Sequence, residues 1–181
     1  MISDRKILLA EIELGLKSIG IPFSLYKERK LPIFQDASEL VVIENNSSGL
    51  PYYLIPEAGE AWKKLRDAAN CDEVIIGIVS AFRSFQRQFE IVKTKIEKGM
   101  SPEVVFSVNA PPGCSEHHTG RALDLGTPNC MPLDKSFDET AAYLWLQNNA
   151  LHFGFELSYP PSNSFGFEYE PWHWCYRRSF A

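Results

Sequence analysis

The chain has 181 residues, 45% of them hydrophobic and 23% charged, with a formal net charge of -5. That balance suits one globular domain with a full core, and it excludes a general nucleic-acid binder, whose phosphate contacts need clustered Lys and Arg. No apolar run approaches the roughly 18 residues that span a bilayer, so no membrane partner is expected.

The opening stretch "MISDRKILLAEIELGLKSIG" has Glu11 and Glu13 inside its apolar run, unlike the unbroken core of a secretory signal. Ile7, Leu8, Ile12 and Leu16 recur at helical spacing and Ser3 stands where an N-cap belongs. The expectation is an amphipathic helix and a cytoplasmic protein. "GIPFSLY" and "ELVVIEN" read as short strands around a polar loop. "YYLIPEAGEAWKKLRDAANCD" reads as a strand entering a helix, with Pro56 near the helix start. "EVIIGIVSAF" is a β-branched run and reads as a buried central strand. "SFQRQFEIVKTKIEKG" reads as a helix with Phe85, Phe89, Ile91, Val92 and Ile96 on an apolar side and Gly99 as its stop. "SVNAPPGCSEHH" is a loop, because Pro111, Pro112 and Gly113 interrupt regular structure. "GRALDLG" alternates as a strand, "DETAAYLWLQNNALHFG" reads as a helix ending near Gly154, and "FELSYP" and "WHWCYR" read as strands around the loop "PSNSFGFEYEP". Helices and strands mix without a regular βαβ repeat. The expected fold is therefore α+β, with a mainly antiparallel central sheet flanked by helices.

Cys71, Cys114, Cys130 and Cys175 form no C-x-x-C pair and read as thiols in a cytoplasmic protein. The chemistry concentrates elsewhere. On a strand, Ala122 and Asp124 share one face while Leu123 and Leu125 take the other, so Asp124 can face a site as the leucines enter a core. His117 stands just before that strand, with Gly120 between them to let the chain bend back. Further on, "YEPWHW" offers His173 and Glu170 as partners, with Pro171 able to turn Glu170 toward the same cavity. Three protein ligands and an open position define a catalytic zinc site, and a nearby carboxylate off the metal can take a proton from the attacking water. The residues alone leave plainer readings open. Asp124 can be a turn residue, and His173 can fill an aromatic cluster between Trp172 and Trp174. A closed structural zinc site from Cys114, His117, His118 and Cys130 also fits the ligand types, but it leaves Glu170 and His173 unexplained.

"SEHHTGRALD" fits S-x-H-x-x-G-x-A-x-D, "EPWH" follows it, and "SAFRSFQRQ" precedes both. This order of motifs, across residues 80–175, resembles the VanY-like D-alanyl-D-alanine carboxypeptidases, in a superfamily shared with lysostaphin-type enzymes and hedgehog signalling domains. "FGFELSYP" resembles the family's intervening segment, while residues 1–70 match weakly. The whole of residues 1–181 is then expected to form a single peptidase domain of the hedgehog/D,D-peptidase-like fold.

The resemblance implies one zinc ion per chain, held by His117, Asp124 and His173, with Glu170 as general base. It implies that Arg83 binds substrate and steadies the oxyanion, and that Gln88 and Ser115 hydrogen-bond the peptide near its C-terminus. The implied partner is a peptidoglycan-derived peptide, from which the terminal D-alanine is removed. An L,D-carboxypeptidase acting on tetrapeptides in cytoplasmic recycling fits the apparent lack of a signal peptide, since a cytoplasmic D,D-carboxypeptidase would attack the cell's own pentapeptide precursor. The D,D activity is the alternative, followed by a phage-type endopeptidase and a non-enzymatic zinc-stabilised binding domain. His118, where the family commonly has Gln, is read as a bystander, and Cys175 as a buried thiol near the site. Phe82 stands where Tyr is usual. Nothing in the sequence fixes an oligomeric state.

Overall fold

Two adjacent strands at the centre of a four-stranded antiparallel sheet set the geometry of the molecule. The computed structural model describes residues 2–24 and 29–177, with side chains from residue 9 onward. The elements are α1 (Ile2–Ser18), β1 (Val41–Asn45), β2 (Pro51–Leu54), α2 (Pro56–Cys71), β3 (Gly77–Ser80), α3 (Phe85–Glu97), α4 (Pro102–Val108), β4 (Ala122–Gly126), α5 (Ala141–Asn149), β5 (Phe155–Leu157) and β6 (His173–Tyr176). Short 3₁₀ turns cover Glu116–Thr119, Lys135–Glu139 and Ala150–Phe153. β1 and β2 form a separate hairpin, and the larger sheet runs β3-β4-β6-β5. The architecture is α+β and antiparallel, as the pattern of elements predicts.

Local chemistry starts and stops these elements. Pro56 occupies the first turn of α2, and Trp62, Leu65 and Ala69 recur on its buried side. The Ser84 hydroxyl accepts from the Arg87 N–H at the start of α3, and Thr140 does the same for Tyr143 at the start of α5. In the β1–β2 turn, the Asn46 side-chain carbonyl accepts from the N–H groups of Ser48 and Leu50.

Two apolar clusters result. The larger joins α2, α5 and one face of the sheet through Leu54, Trp62, Leu123, Leu125, Leu146 and Trp174. The smaller joins α1, α3, α4 and the loop before β6 through Ile12, Leu16, Val92, Phe106 and Phe167. Leu123 pairs with Trp174 across β4 and β6, and the next pair is Asp124 with His173. Alternation along the strands puts the first pair into the core and the second on the opposite face.

Four local expectations need correction. "EVIIGIVSAF" is not a central strand. Only Gly77–Ser80 is extended, at the sheet edge, and Ile75 is exposed while Ile76 is buried. A β-branched run does not report sheet position, which depends on pairing, and β4 alone pairs with β3. The strand expected at "GIPFSLY" is absent from its described part: Gly20 terminates α1 at φ 74, Ile21 donates back to the Leu16 carbonyl, and Phe23 and Ser24 are helical. Residues 25 and 26 of that stretch lie outside the described residues. The helix expected to run to Gly154 stops at Asn149 and finishes as a 3₁₀ turn. Finally, α4 was not anticipated, although Ser101 caps it and Pro102 sits in its first turn. In α1, Ile12 and Leu16 are fully buried, while the side chains of Ser3, Ile7 and Leu8 lie outside the described residues.

Candidate metal centre

The 3₁₀ turn that carries His117 is closed by Gly120 at φ 64. A Cβ there would lie 2.9 Å from Leu40 Cδ2 and 3.1 Å from Ile55 Cγ2. Only glycine fits both the backbone and the space. β4 starts two residues later and brings Asp124 beside His117. On β6, Pro171 makes the tight turn that the sequence allows: the His173 N–H donates to the Glu170 carbonyl at 3.1 Å, and the Glu170 N–H donates to the Tyr159 carbonyl at 3.1 Å. Glu170 and His173 therefore open into one cavity despite their spacing.

The three expected ligands converge. Single donor atoms of His117, Asp124 and His173 lie within 4.8 Å of one another, and all three residues are buried. His117 donates from Nδ1 to the Ala81 carbonyl at 2.7 Å, which aims Nε2 at Asp124 Oδ2, 3.1 Å away. His173 Nδ1 is 3.0 Å from Asp124 Oδ1, and its Nε2 is 3.1 Å from Glu116 Oε2. Each ring thus spends one nitrogen on an orienting acceptor and turns the other toward Asp124. Two imidazole nitrogens and one carboxylate oxygen facing open space are a donor set that suits zinc. Glu170 Oε2 stands 3.9 Å from His173 Nδ1, beside the triad rather than within it.

Electrostatics separates the carboxylates. Burial pushes Glu170 up to about 7, helped by the negative charge of Asp124, against the opposing pull of His173. Burial would raise Asp124 as well, but His117 and His173 hold it far below the usual carboxylate range. Burial opposes charge on His173, yet its bonds to Asp124 and Glu116 raise it to about 10. Burial lowers His117, which stays neutral and ligand-competent.

The site opens into a cleft of about 480 Å³ lined by Arg83, Gln88, Ser115, Tyr159, Glu170 and Trp172, among others. Arg83 Nε is buried without a partner, and burial lowers its pKa. Gln88 donates from Nε2 to the Ala110 carbonyl at 2.6 Å, and its buried Oε1 has no partner. Ser115 is buried at the cleft wall and its side chain does not cap the 3₁₀ turn. Arg83 and Gln88 thus both line the cleft and each carries a buried polar atom without a partner in the protein.

His118 faces away from this centre. It donates from Nδ1 to the Arg83 carbonyl at 2.7 Å, and Nε2 accepts from the Gly113 N–H at 3.1 Å. It therefore ties the arginine segment to the Pro-rich loop. The closed site built on Cys114, His117, His118 and Cys130 is not formed: His117 groups with Asp124 and His173, and Cys130 lies against Met131 and Ser136. No cysteine is in a disulfide. Cys175 is buried, and its thiol lies against the Tyr176 carbonyl.

Glu116 is the residue that sequence reasoning missed. Its carboxylate takes His173 Nε2, the Ser158 hydroxyl at 2.6 Å and the Arg177 guanidinium at 2.5 Å. Its only signal was an acidic residue inside a rigid loop beside a ligand, and spacing could not reveal partners 42 and 61 residues away.

Comparison with known proteins bears on this geometry. The family model described as VanY, D-alanyl-D-alanine carboxypeptidase, matches residues 51–179. YodJ of Bacillus subtilis strain 168, a protein named as a carboxypeptidase, is 33% identical over 90% of this chain. The chain spans 63% of the length of that relative. The solved structure of the LdcB LD-carboxypeptidase is 33% identical with a TM-score of 0.71, over 80% of this chain and 71% of that one. A mutant of the vancomycin-resistance D,D-pentapeptidase VanY, solved in complex with Zn(II), is 30% identical with a TM-score of 0.62, over 81% of this chain and 82% of that one. By the extent of the family match and the arrangement of the site, this chain belongs to the VanY family of D-alanyl-D-alanine carboxypeptidases.

Proposed function

We propose that this chain is a zinc carboxypeptidase that releases the C-terminal D-alanine of peptidoglycan peptides. The observation that carries the reading is the convergence of His117, Asp124 and His173 at the floor of a cleft, with the raised carboxyl of Glu170 beside them. Zinc bound there supplies Lewis acidity toward water and the scissile carbonyl. Glu170 takes the proton of the attacking water and passes it to the departing amine. A carboxyl tuned to about 7 suits both transfers near neutral pH. Arg83 donates to the carbonyl oxygen as charge develops on it, from a partly buried position where a charge-assisted bond is stronger than in open water. Gln88 and Ser115 hold the peptide near its terminal carboxylate. α1 packs Ile12 and Leu16 into the same core as Val92 of α3, in keeping with residues 1–181 forming one peptidase domain.

For the substrate we propose tetrapeptides cut as by an L,D-carboxypeptidase, supported by the likeness to the LdcB enzyme. That activity suits trimming of recovered muropeptides, where a D,D activity would destroy pentapeptide precursor. The D,D reading is favoured by the family description and by the likeness to the VanY pentapeptidase. Incubating zinc-loaded protein with tetrapeptide and pentapeptide muropeptides decides between them. Free D-alanine from the tetrapeptide is expected. Release from the pentapeptide alone establishes the D,D reading, and internal cuts establish an endopeptidase.

A further inference from the structure

We propose that Glu116 is a positioning residue for the metal centre: it fixes the tautomer and the donor strength of His173 through the ring nitrogen that faces away from the metal. The inference rests on the zinc reading of the site. Glu116 immediately precedes His117 in the chain, but its carboxylate reaches across to the ligand on the other strand. It therefore links the two segments that build the centre, which are 57 residues apart.

The carboxylate is buried at 4% exposure and is held on all sides. Oε2 receives His173 Nε2 at 3.1 Å and the Ser158 hydroxyl at 2.6 Å. Oε1 receives Arg177 at 2.5 Å. A carboxylate only accepts, so the His173 nitrogen facing it must carry the proton. Nδ1 faces Asp124 Oδ1 and is the nitrogen that gives up its proton when a metal binds, while Nε2 keeps its proton toward Glu116. The Tyr159 ring, 4.6 Å away between centroids, restricts the imidazole further. His117 is oriented by the neutral Ala81 carbonyl, so of the two histidines only His173 has an anion behind it. A charged acceptor on the far nitrogen makes an imidazole a stronger donor, and such outer partners typically alter metal affinity by about 10–100-fold.

The test compares metal binding by unmodified protein, Glu116→Gln and Leu146→Ala. Leu146 lies fully buried in the large core, so its truncation loosens the fold without touching the site. Zinc affinity is measured by chelator competition on stripped protein. Glu116→Gln is expected to bind about 10–100-fold more weakly, and Leu146→Ala within twofold of the unmodified chain. Unchanged affinity in Glu116→Gln overturns the proposal, and so does an equal loss in both variants. If Glu116→Gln does not fold, the unmodified zinc-loaded protein still decides. Its ¹⁵N spectrum must show His173 protonated at Nε2, and protonation at Nδ1 overturns the proposal. Absence of zinc binding by the unmodified chain would instead strike at the metal reading itself.

Discussion

At the scale of single residues, the site divides its carboxylates by environment. Asp124 sits between two imidazoles and stays ionised, whereas Glu170 is buried among like charges and is raised to about 7. Glu170→Gln keeps the shape of the side chain but removes the proton acceptor. Hydrolysis should fall by about 10²–10⁴-fold while zinc stoichiometry stays at one, checked by turnover assay and metal analysis. The adjacent histidines divide in the same way. His118 makes two backbone hydrogen bonds and none toward the triad. His118→Ala should keep zinc bound but leave the Arg83 carbonyl and the Gly113 N–H unsatisfied. A stability loss of about 1–3 kcal/mol is expected in denaturant unfolding, with a raised KM from a looser Arg83. The motif spacing pointed to His117, Asp124, Glu170 and His173, since those residue types can serve a metal or a proton transfer. It did not point to Glu116, because an acidic residue in a loop is usually solvated, and only its burial beside His173 and Arg177 distinguishes this one.

At the scale of elements, a glycine turn and a proline turn aim the chemistry. Gly120 lets the chain double back from the His117 turn into β4. Gly120→Ala forces a left-handed backbone on an L-residue and presses a Cβ to 2.9 Å from Leu40. A loss of about 1–2 kcal/mol or more is expected in thermal unfolding, with weaker zinc binding because His117 shifts against Asp124. The β4–β6 register then places Asp124 directly opposite His173. Alternating "ALDL" shows that Asp124 leaves the core face, which the structure bears out. It does not show that the partner strand comes from 49 residues away. The same limit explains β3. Its β-branched run gives an extended segment, but whether that segment lies at the edge or the centre depends on which strands pair, and pairing is a long-range matter.

At the scale of the whole molecule, the two apolar clusters hold the sheet, α3 and the loop before β6 around a cleft whose floor is crowded with ionisable groups. No described helix is long and apolar enough to cross a membrane. The pH dependence follows from the direction of each shift. In the metal-free chain His173 is raised to about 10, so its contribution is complete below about 6.5 and is lost as pH rises toward 10. Glu170, raised to about 7, costs stability as it ionises between about 4.5 and 7. Asp124 and Glu116 are depressed, so their contributions are lost in acid. Burial lowers His117 and His118, so their cost is relieved as pH rises through about 6.5 and opposes the Glu170 loss there. The Tm of stripped protein should therefore decline from about pH 7 to 10. Zinc must displace the His173 proton, so its apparent affinity should rise about tenfold per pH unit between pH 7 and about 10, measured by competition titration. A pH-independent affinity would show that His173 is neutral before the metal arrives. By itself the sequence determined the antiparallel α+β class, the motif order and the residue types able to hold a metal, because alternation, turn chemistry and ligand identity are local properties. Only the tertiary structure decided that Glu116, Ser158 and Arg177 stand behind His173, that His118 serves Arg83, and that β4 and β6 are the central strands. Those are contacts between distant segments, fixed by packing and burial, which no local pattern records.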